Sequence, residues 1–251
     1  MKIIYIANAR IPTEKAHGIH IMKMCESFAR IADIELVIPR RFNWIKEDAF
    51  KYYGIEKNFQ IKKLPCLDLI PLDKYIGYFA LWIGSVSFAF FAFWYLIFKK
   101  ADIIYTRDKF LLFLVFFKKN LVFEAHTFPQ NYFLYSSFLK RLKKMIVITQ
   151  QLKEFFVQLG ISPNKILVAP DGVDLEKFDI KETKEECRKM LVLPLDKKIV
   201  LYTGHLYSWK GVDTLARASE HLPKDVDIYF VGGTMEDKKK FEIRNLKLEI
   251  N

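Results

Sequence analysis

The sequence predicts an α/β protein built on a parallel sheet, and three observations carry that expectation. Short apolar runs rich in β-branched residues recur at 2–7, 34–38, 102–106, 121–124 and 145–149. Segments of helical length separate them, and such alternation implies βαβ units. The run 199–203 then ends at Gly204, and a periodic segment follows from about residue 212. Strand, glycine turn and helix in that order bring backbone N–H groups and a helix N-terminus to a strand's carboxyl end, where an anion is favoured. Lys210, in the loop between, adds a formal positive charge.

With 251 residues, 51% of them apolar and 16% aromatic, the chain can bury one large core or two smaller ones, which argues against disorder. Cys25, Cys66 and Cys187 are odd in number and widely spaced, with no CxxC pair, so neither a disulfide framework nor a zinc site is suggested. A reducing, cytosolic setting fits that usage. Met1-Lys2 leads directly into a strand-like run, so no secretory signal is expected. The net charge of +11 is uneven: residues 1–168 carry 25 Lys and Arg against 13 Asp and Glu, and the remainder 15 against 16. Such a basic first part suits an anionic membrane surface or nucleic acid, or is simply a solvated lysine-rich face. Nucleic-acid binding ranks last, because the aromatics cluster in apolar runs rather than as stacking platforms.

Taken in order, the strand at 2–7 leads through a loop containing Pro12 to Gly18 and a helix. On that helix Ile21, Met24, Cys25 and Phe28 make one apolar stripe. No GxGxxG fingerprint accompanies the loop. Residues 40–75 read as a strand-containing connection. Residues 75–98 hold no charge and are closed by Lys99-Lys100. Their length meets the threshold for a membrane span. A helix buried against the sheet or lying in a membrane interface is preferred, since strands on both sides have to share one sheet, and hydropathy leaves the choice open.

The strand at 121–124 runs into Glu124 and His126, which puts a carboxylate and an imidazole at a strand's carboxyl end. Thr149 is suited to cap a helix at 150–159, Gly160 to end it, and 166–169 to form a further strand. Pro170-Asp171-Gly172 marks a turn and the expected boundary between domains 1–170 and 171–251. In the second part, strands at 199–203 and 227–231 both end in glycines, Gly204 and the Gly232-Gly233 pair. Two strands cannot make a doubly wound domain, so this domain is expected to be incomplete.

These motifs, taken together and in order, resemble the retaining nucleotide-sugar glycosyltransferases of family 4, which have two Rossmann-like domains in the GT-B arrangement. The resemblance rests on the first strand with Gly18, FEAH at 123–126, VITQQLKEFF from Val147, VAPDGVDLEKF at 168–178, YTGHLYSWKG at 202–211 and FVGG at 230–233. It implies transfer of a sugar, with retention, from a nucleotide diphosphate sugar to a lipid-linked or surface-polysaccharide acceptor, without a metal or other cofactor. Lys210 would hold the diphosphate, Gly18 and Gly204 would let backbone approach the phosphates, and Gly232 and Gly233 would line the nucleotide pocket. His126, with Glu124 to orient it, would act beside the sugar. Two departures qualify this. His205 stands where the family has an arginine, so phosphate binding should weaken as pH rises and the imidazole loses its proton. The family's paired glutamates have no counterpart before Asn251, so donor binding and transfer by this chain are expected to be impaired. A noncatalytic module derived from such an enzyme is the alternative. Against each role stands a plainer one: Lys210 as a loop lysine, His126 as a structural histidine, and the KRLKK run at 140–144 as a solvated helix face.

Overall fold

A computed structural model of the chain describes residues 1–69, 75, 77–128 and 132–246, and these fall into two compact units, Met1–Gly172 and Val173–Asn251. The first unit is organised by β1 (Lys2–Ile6), whose continuous apolar run has a simple cause: both of its faces are covered. Ile4 and Ile6 point into one core and Ile3 and Tyr5 into the other. Each fully buried isoleucine contributes roughly 1.5–3 kcal/mol relative to exposure. After β1 come α1 (Ala16–Ala29), β2 (Asp33–Pro39), α2 (Ala49–Tyr53), β3 (Gln60–Leu64), α3 (Tyr78–Ile97), β4 (Ile103–Thr106) and a 3₁₀ helix at Lys109–Phe116. The unit closes with β5 (Leu121–Ala125), α4 (Tyr132–Arg141), β6 (Lys144–Val147), α5 (Gln150–Gln158) and β7 (Ile166–Val168).

All seven strands pair in parallel, in the order β3-β2-β1-β4-β5-β6-β7. The chain winds outward in one direction from β1 and in the other from β4, so the order reverses between those two strands. In open sheets that switch point leaves a crevice at the carboxyl ends. The α1 and α2 helices cover one face, while α3, the 3₁₀ helix, α4 and α5 cover the other.

Local signals account for most boundaries. Thr149 Oγ1 accepts the Leu152 N–H at 3.2 Å and starts α5, while Gly160, at φ +85°, ends it. The lysine run 140–144 is not one helix face as expected. It straddles the end of α4 and the start of β6, because Leu142 between them is buried in the core.

The long apolar segment forms α3, long and apolar enough to cross a membrane by length and composition. It is neither fully buried nor detached from the domain: Phe88, Ala92 and Leu96 sit in the core, and the Tyr95 hydroxyl donates to Glu35 of β2. Its outer side is exposed. Position 76 of the run lies outside the described residues.

Gly18 is a correction. The helix begins at Ala16, so Gly18 belongs to its first turn rather than to an open loop, and it is buried. A Cβ there would lie 2.2 Å from Tyr53 Oη and 2.6 Å from Thr13 Cγ2. That hydroxyl accepts the Thr13 N–H at 2.7 Å and donates to the Thr13 carbonyl at 2.8 Å, clasping the β1–α1 loop. Glycine is required because the clasp occupies the space.

The second unit holds α6 (Leu175–Phe178), α7 (Lys184–Met190), β8 (Lys198–Thr203), α8 (Val212–Ala218), β9 (Val226–Val231) and α9 (Met235–Arg244). The β8 and β9 strands pair in parallel, and Val212, Ala216 and Phe241 pack with Leu206 into a small core of their own.

Gly18→Ala should destabilise the chain by roughly 1–3 kcal/mol in urea denaturation, the usual cost of overpacking. Combined with Tyr53→Phe, which removes the nearest atom, the double variant should lose less than the sum of the single losses. Strict additivity would show that the clasp is not what excludes a side chain at Gly18.

Candidate functional site

At the β1–β4 switch point the strand ends open into a cleft of about 670 Å³, bordered by Asn8 after β1, Arg107 after β4 and His126 after β5. Glu124 is the last residue but one of β5 and its side chain is 3% exposed. A carboxylate so placed must be compensated. Tyr105, on the neighbouring β4, donates to Oε2 at 2.8 Å; His126 Nε2 lies 2.8 Å from Oε1; Arg107 Nε stands 3.8 Å from Oε2. Burial works to raise the Glu124 pKa, but the His126 hydrogen bond, the Arg107 charge and the Tyr105 hydroxyl together outweigh it and hold the group below its ordinary range. Tyr105 is pushed strongly upward by burial and by the Glu124 charge, so it remains a neutral donor.

The network extends beyond the pair read from the sequence. Arg107 Nη1 lies 2.8 Å from His20 Nδ1, and His20 Nε2 lies 2.8 Å from Asp171 Oδ1. Asp171 Oδ2 in turn lies 3.9 Å from His126 Nδ1. These partners fix the tautomers by inference. Arg107 can only donate, so His20 accepts at Nδ1 and carries its proton on Nε2. Against ionised Glu124, His126 carries its proton on Nε2, which leaves Nδ1 facing Asp171 and available to accept or bind a proton.

His20, Glu124, His126 and Asp171 each offer an atom within 4.8 Å of the others, a spacing that could hold a metal ion. Arg107 stands in the same cluster and supplies one positive charge against the two carboxylates, Glu124 and Asp171.

Sequence reasoning missed Arg107 and Tyr105, and it took Asp171 only as part of a turn. The available signal was positional. Arg107 and His126 each follow the last residue of a strand directly, and Asp171 comes three residues after β7. In a parallel sheet those positions converge on one edge.

In the second unit the structure brings Gly204, His205, Lys210, Gly232 and Gly233 into one neighbourhood. Gly204 and Gly232 have φ of +131° and +118°, and a Cβ on Gly232 would lie 2.6 Å from the Gly204 carbonyl oxygen. The two turns therefore touch backbone to backbone, which alone demands glycine at position 232. Gly233 packs on Leu206. Lys210 Nζ would lie 3.8 Å from a Gly204 Cβ and stands 5.4 Å from the Trp209 ring centre. His205 stacks on Tyr207, and its Nδ1 lies 3.1 Å from Asp237 Oδ2. The Thr234 N–H and then His205 hold the Asp237 carboxyl below its ordinary range.

Known proteins share this architecture. Anabaena HepE, solved with UDP and glucose, superposes with a TM-score of 0.66 at 16% identity over 98% of this chain and 65% of its own. An Escherichia coli trehalose-6-phosphate structure bound with UDP-2-fluoro glucose gives 0.62 at 12% identity, over 98% and 68%. A D-inositol 3-phosphate glycosyltransferase of Xylanimonas cellulosilytica is 34% identical over 95 residues, 36% of this chain and 23% of that relative. The match thus spans about a quarter of that relative's length. Residues 53–177, about half of the chain, match the sequence profile of Glycosyltransferase Family 4. The fold is that of the GT-B glycosyltransferases. The chain belongs to glycosyltransferase family 4.

Glu124→Gln should lower stability at pH 7 by roughly 1.5–3 kcal/mol, the range for hydrogen bonds to a charged group. The folded pKa lies below the ordinary 4.5, so this stabilisation is complete above that pH and is lost as pH falls through the folded value. Urea melts of both proteins should therefore converge towards acid. A gap that stays constant from neutral to strongly acid pH would contradict an ionised Glu124.

Proposed function

We propose that the chain serves a retaining glycosyltransferase that moves a sugar from a nucleotide diphosphate sugar to a carbohydrate or lipid-linked acceptor hydroxyl. The observation that carries this reading is the pair of buried Glu124 and half-buried His126 at the carboxyl edge of the switch point, tied through Asp171 and His20 to Arg107. The network fixes the orientation of His126 and leaves Nδ1, on the side of Asp171, as an acceptor suited to take a hydrogen bond from a sugar hydroxyl.

The second unit supplies the complementary chemistry for the donor. Lys210 beside the glycine turns offers a mobile ammonium, and the turns offer closely approaching backbone, which together suit a diphosphate. His205 Nδ1 is engaged by Asp237, so Nε2 can donate to a phosphate oxygen only when the ring carries both protons. Support for a nucleotide-sugar donor comes from the fold relatives, whose solved complexes contain UDP with glucose and UDP-2-fluoro glucose. Support for a polyol or glycan acceptor comes from the inositol-phosphate glycosyltransferase relative.

Calorimetric titration of the chain with UDP, GDP and ADP should find one nucleotide bound, and Lys210→Ala should weaken it roughly 10-fold to 100-fold, the equivalent of one charge-assisted hydrogen bond. With the matching sugar donor, His126→Ala should lower kcat about 100-fold while leaving nucleotide affinity unchanged. No binding of any nucleotide and no turnover of any donor would overturn the transferase reading in favour of a noncatalytic module.

A further inference from the structure

Helix α3 reverses the usual distribution of side-chain size. Its sheet-facing side is mostly small, with Ala80, Gly84, Ser85, Ala89 and Ala92 buried. Its outer side carries Trp82, Phe90 and Trp94, which are 57%, 56% and 48% exposed. A helix that serves only a soluble core places its large apolar groups inward. The apolar surface continues beyond α3, since Phe93 meets Phe117 at 4.9 Å on the 3₁₀ helix side and Phe116 meets Phe138 of α4 at 5.5 Å. Continuous exposed apolar surface of this kind marks an interaction site.

Cations rim it. Lys99 Nζ lies 5.1 Å from the Tyr95 ring centre, Arg141 lies 5.0 Å from that of Phe116, and Lys118 donates to the Lys99 carbonyl at 3.1 Å. From Lys99 to Lys144 the chain holds ten Lys and Arg, of which Arg107 belongs to the Glu124 network, against three Asp and Glu. Those three are engaged elsewhere: Asp102 accepts the Lys2 N–H, Asp108 caps the 3₁₀ helix, and Glu124 belongs to the buried network.

We propose that this face docks on an anionic bilayer surface, with α3 lying in the interface, its aromatic rings among the headgroups and the lysines and Arg141 against lipid phosphates. Charge complementarity selects the occupant, because a second copy would press one cationic rim against another. Aromatic rings bordered by cations also match the composition of membrane-interface segments. The 20-residue length of α3 would allow a span. Its inner side excludes one while the domain is folded: Phe88 is fully buried and Ser85 Oγ accepts the Asn8 side-chain N–H at 2.9 Å.

Sedimentation of the chain with phosphatidylcholine vesicles, with and without phosphatidylglycerol, tests this independently of any transferase activity. Binding should require the anionic lipid and fall at high salt. Lys118→Gln and Lys119→Gln should each weaken it about fivefold, the equivalent of one cation near a charged surface. Trp82→Glu with Phe90→Glu should weaken it more than tenfold while leaving the circular dichroism melt unchanged. Brominated lipid should quench wild-type tryptophan fluorescence, a readout that needs no substitution. The proposal is overturned by equal binding to neutral vesicles, by no binding at all, by resistance to an alkaline carbonate wash, or by a stable dimer that takes up this face instead of lipid.

Discussion

The first unit depends on the parallel pairing of β1 with β4. That pairing joins two halves of the chain that wind in opposite directions, and it requires both strands to be apolar on both faces. Everything chemical in the unit follows from the direction it imposes. Because all seven strands run the same way, the residues that follow them gather on one edge, and Arg107, His126 and Asp171 meet there although up to 64 positions separate them in the chain. His20 joins from α1, the helix that leads away from β1.

At that edge a buried carboxylate sets the remaining terms. Glu124 is tolerated inside because a guanidinium, an imidazole and a phenol surround it, and His20 and Asp171 stand in turn beside the first two. The outcome is an oriented histidine on a rigid strand end. Orientation of this kind is what separates a candidate reacting group from a histidine that only satisfies a core.

The sequence reads the glycines as places for a ligand to approach, and in the structure two of them also have packing reasons of their own. Gly18 yields its space to the Tyr53 hydroxyl, and Gly232 yields to the Gly204 carbonyl. Neither cause was legible beforehand, since Tyr53 is 35 residues from Gly18 and Gly232 is 28 from Gly204. A glycine reports that a side chain is unwelcome without saying what excludes it. The reading of α3 had the same limit: composition described a helix apolar all round, and only packing divided it into a small inner side and an aromatic outer one.

What the sequence determined by itself was the alternation of strands and helices, the strand ends that carry Glu124, His126 and the Gly204 turn, and the Thr149 cap, because each depends on residues within about one helical turn or one strand of each other. Tertiary structure alone decided which strand ends become neighbours. It thereby added Arg107, His20, Tyr105 and Asp171 to the histidine, and it settled which face of α3 is turned outward. Those outcomes come from the order of strands in the sheet and from burial, and both depend on contacts between residues far apart in the chain, which no local pattern encodes.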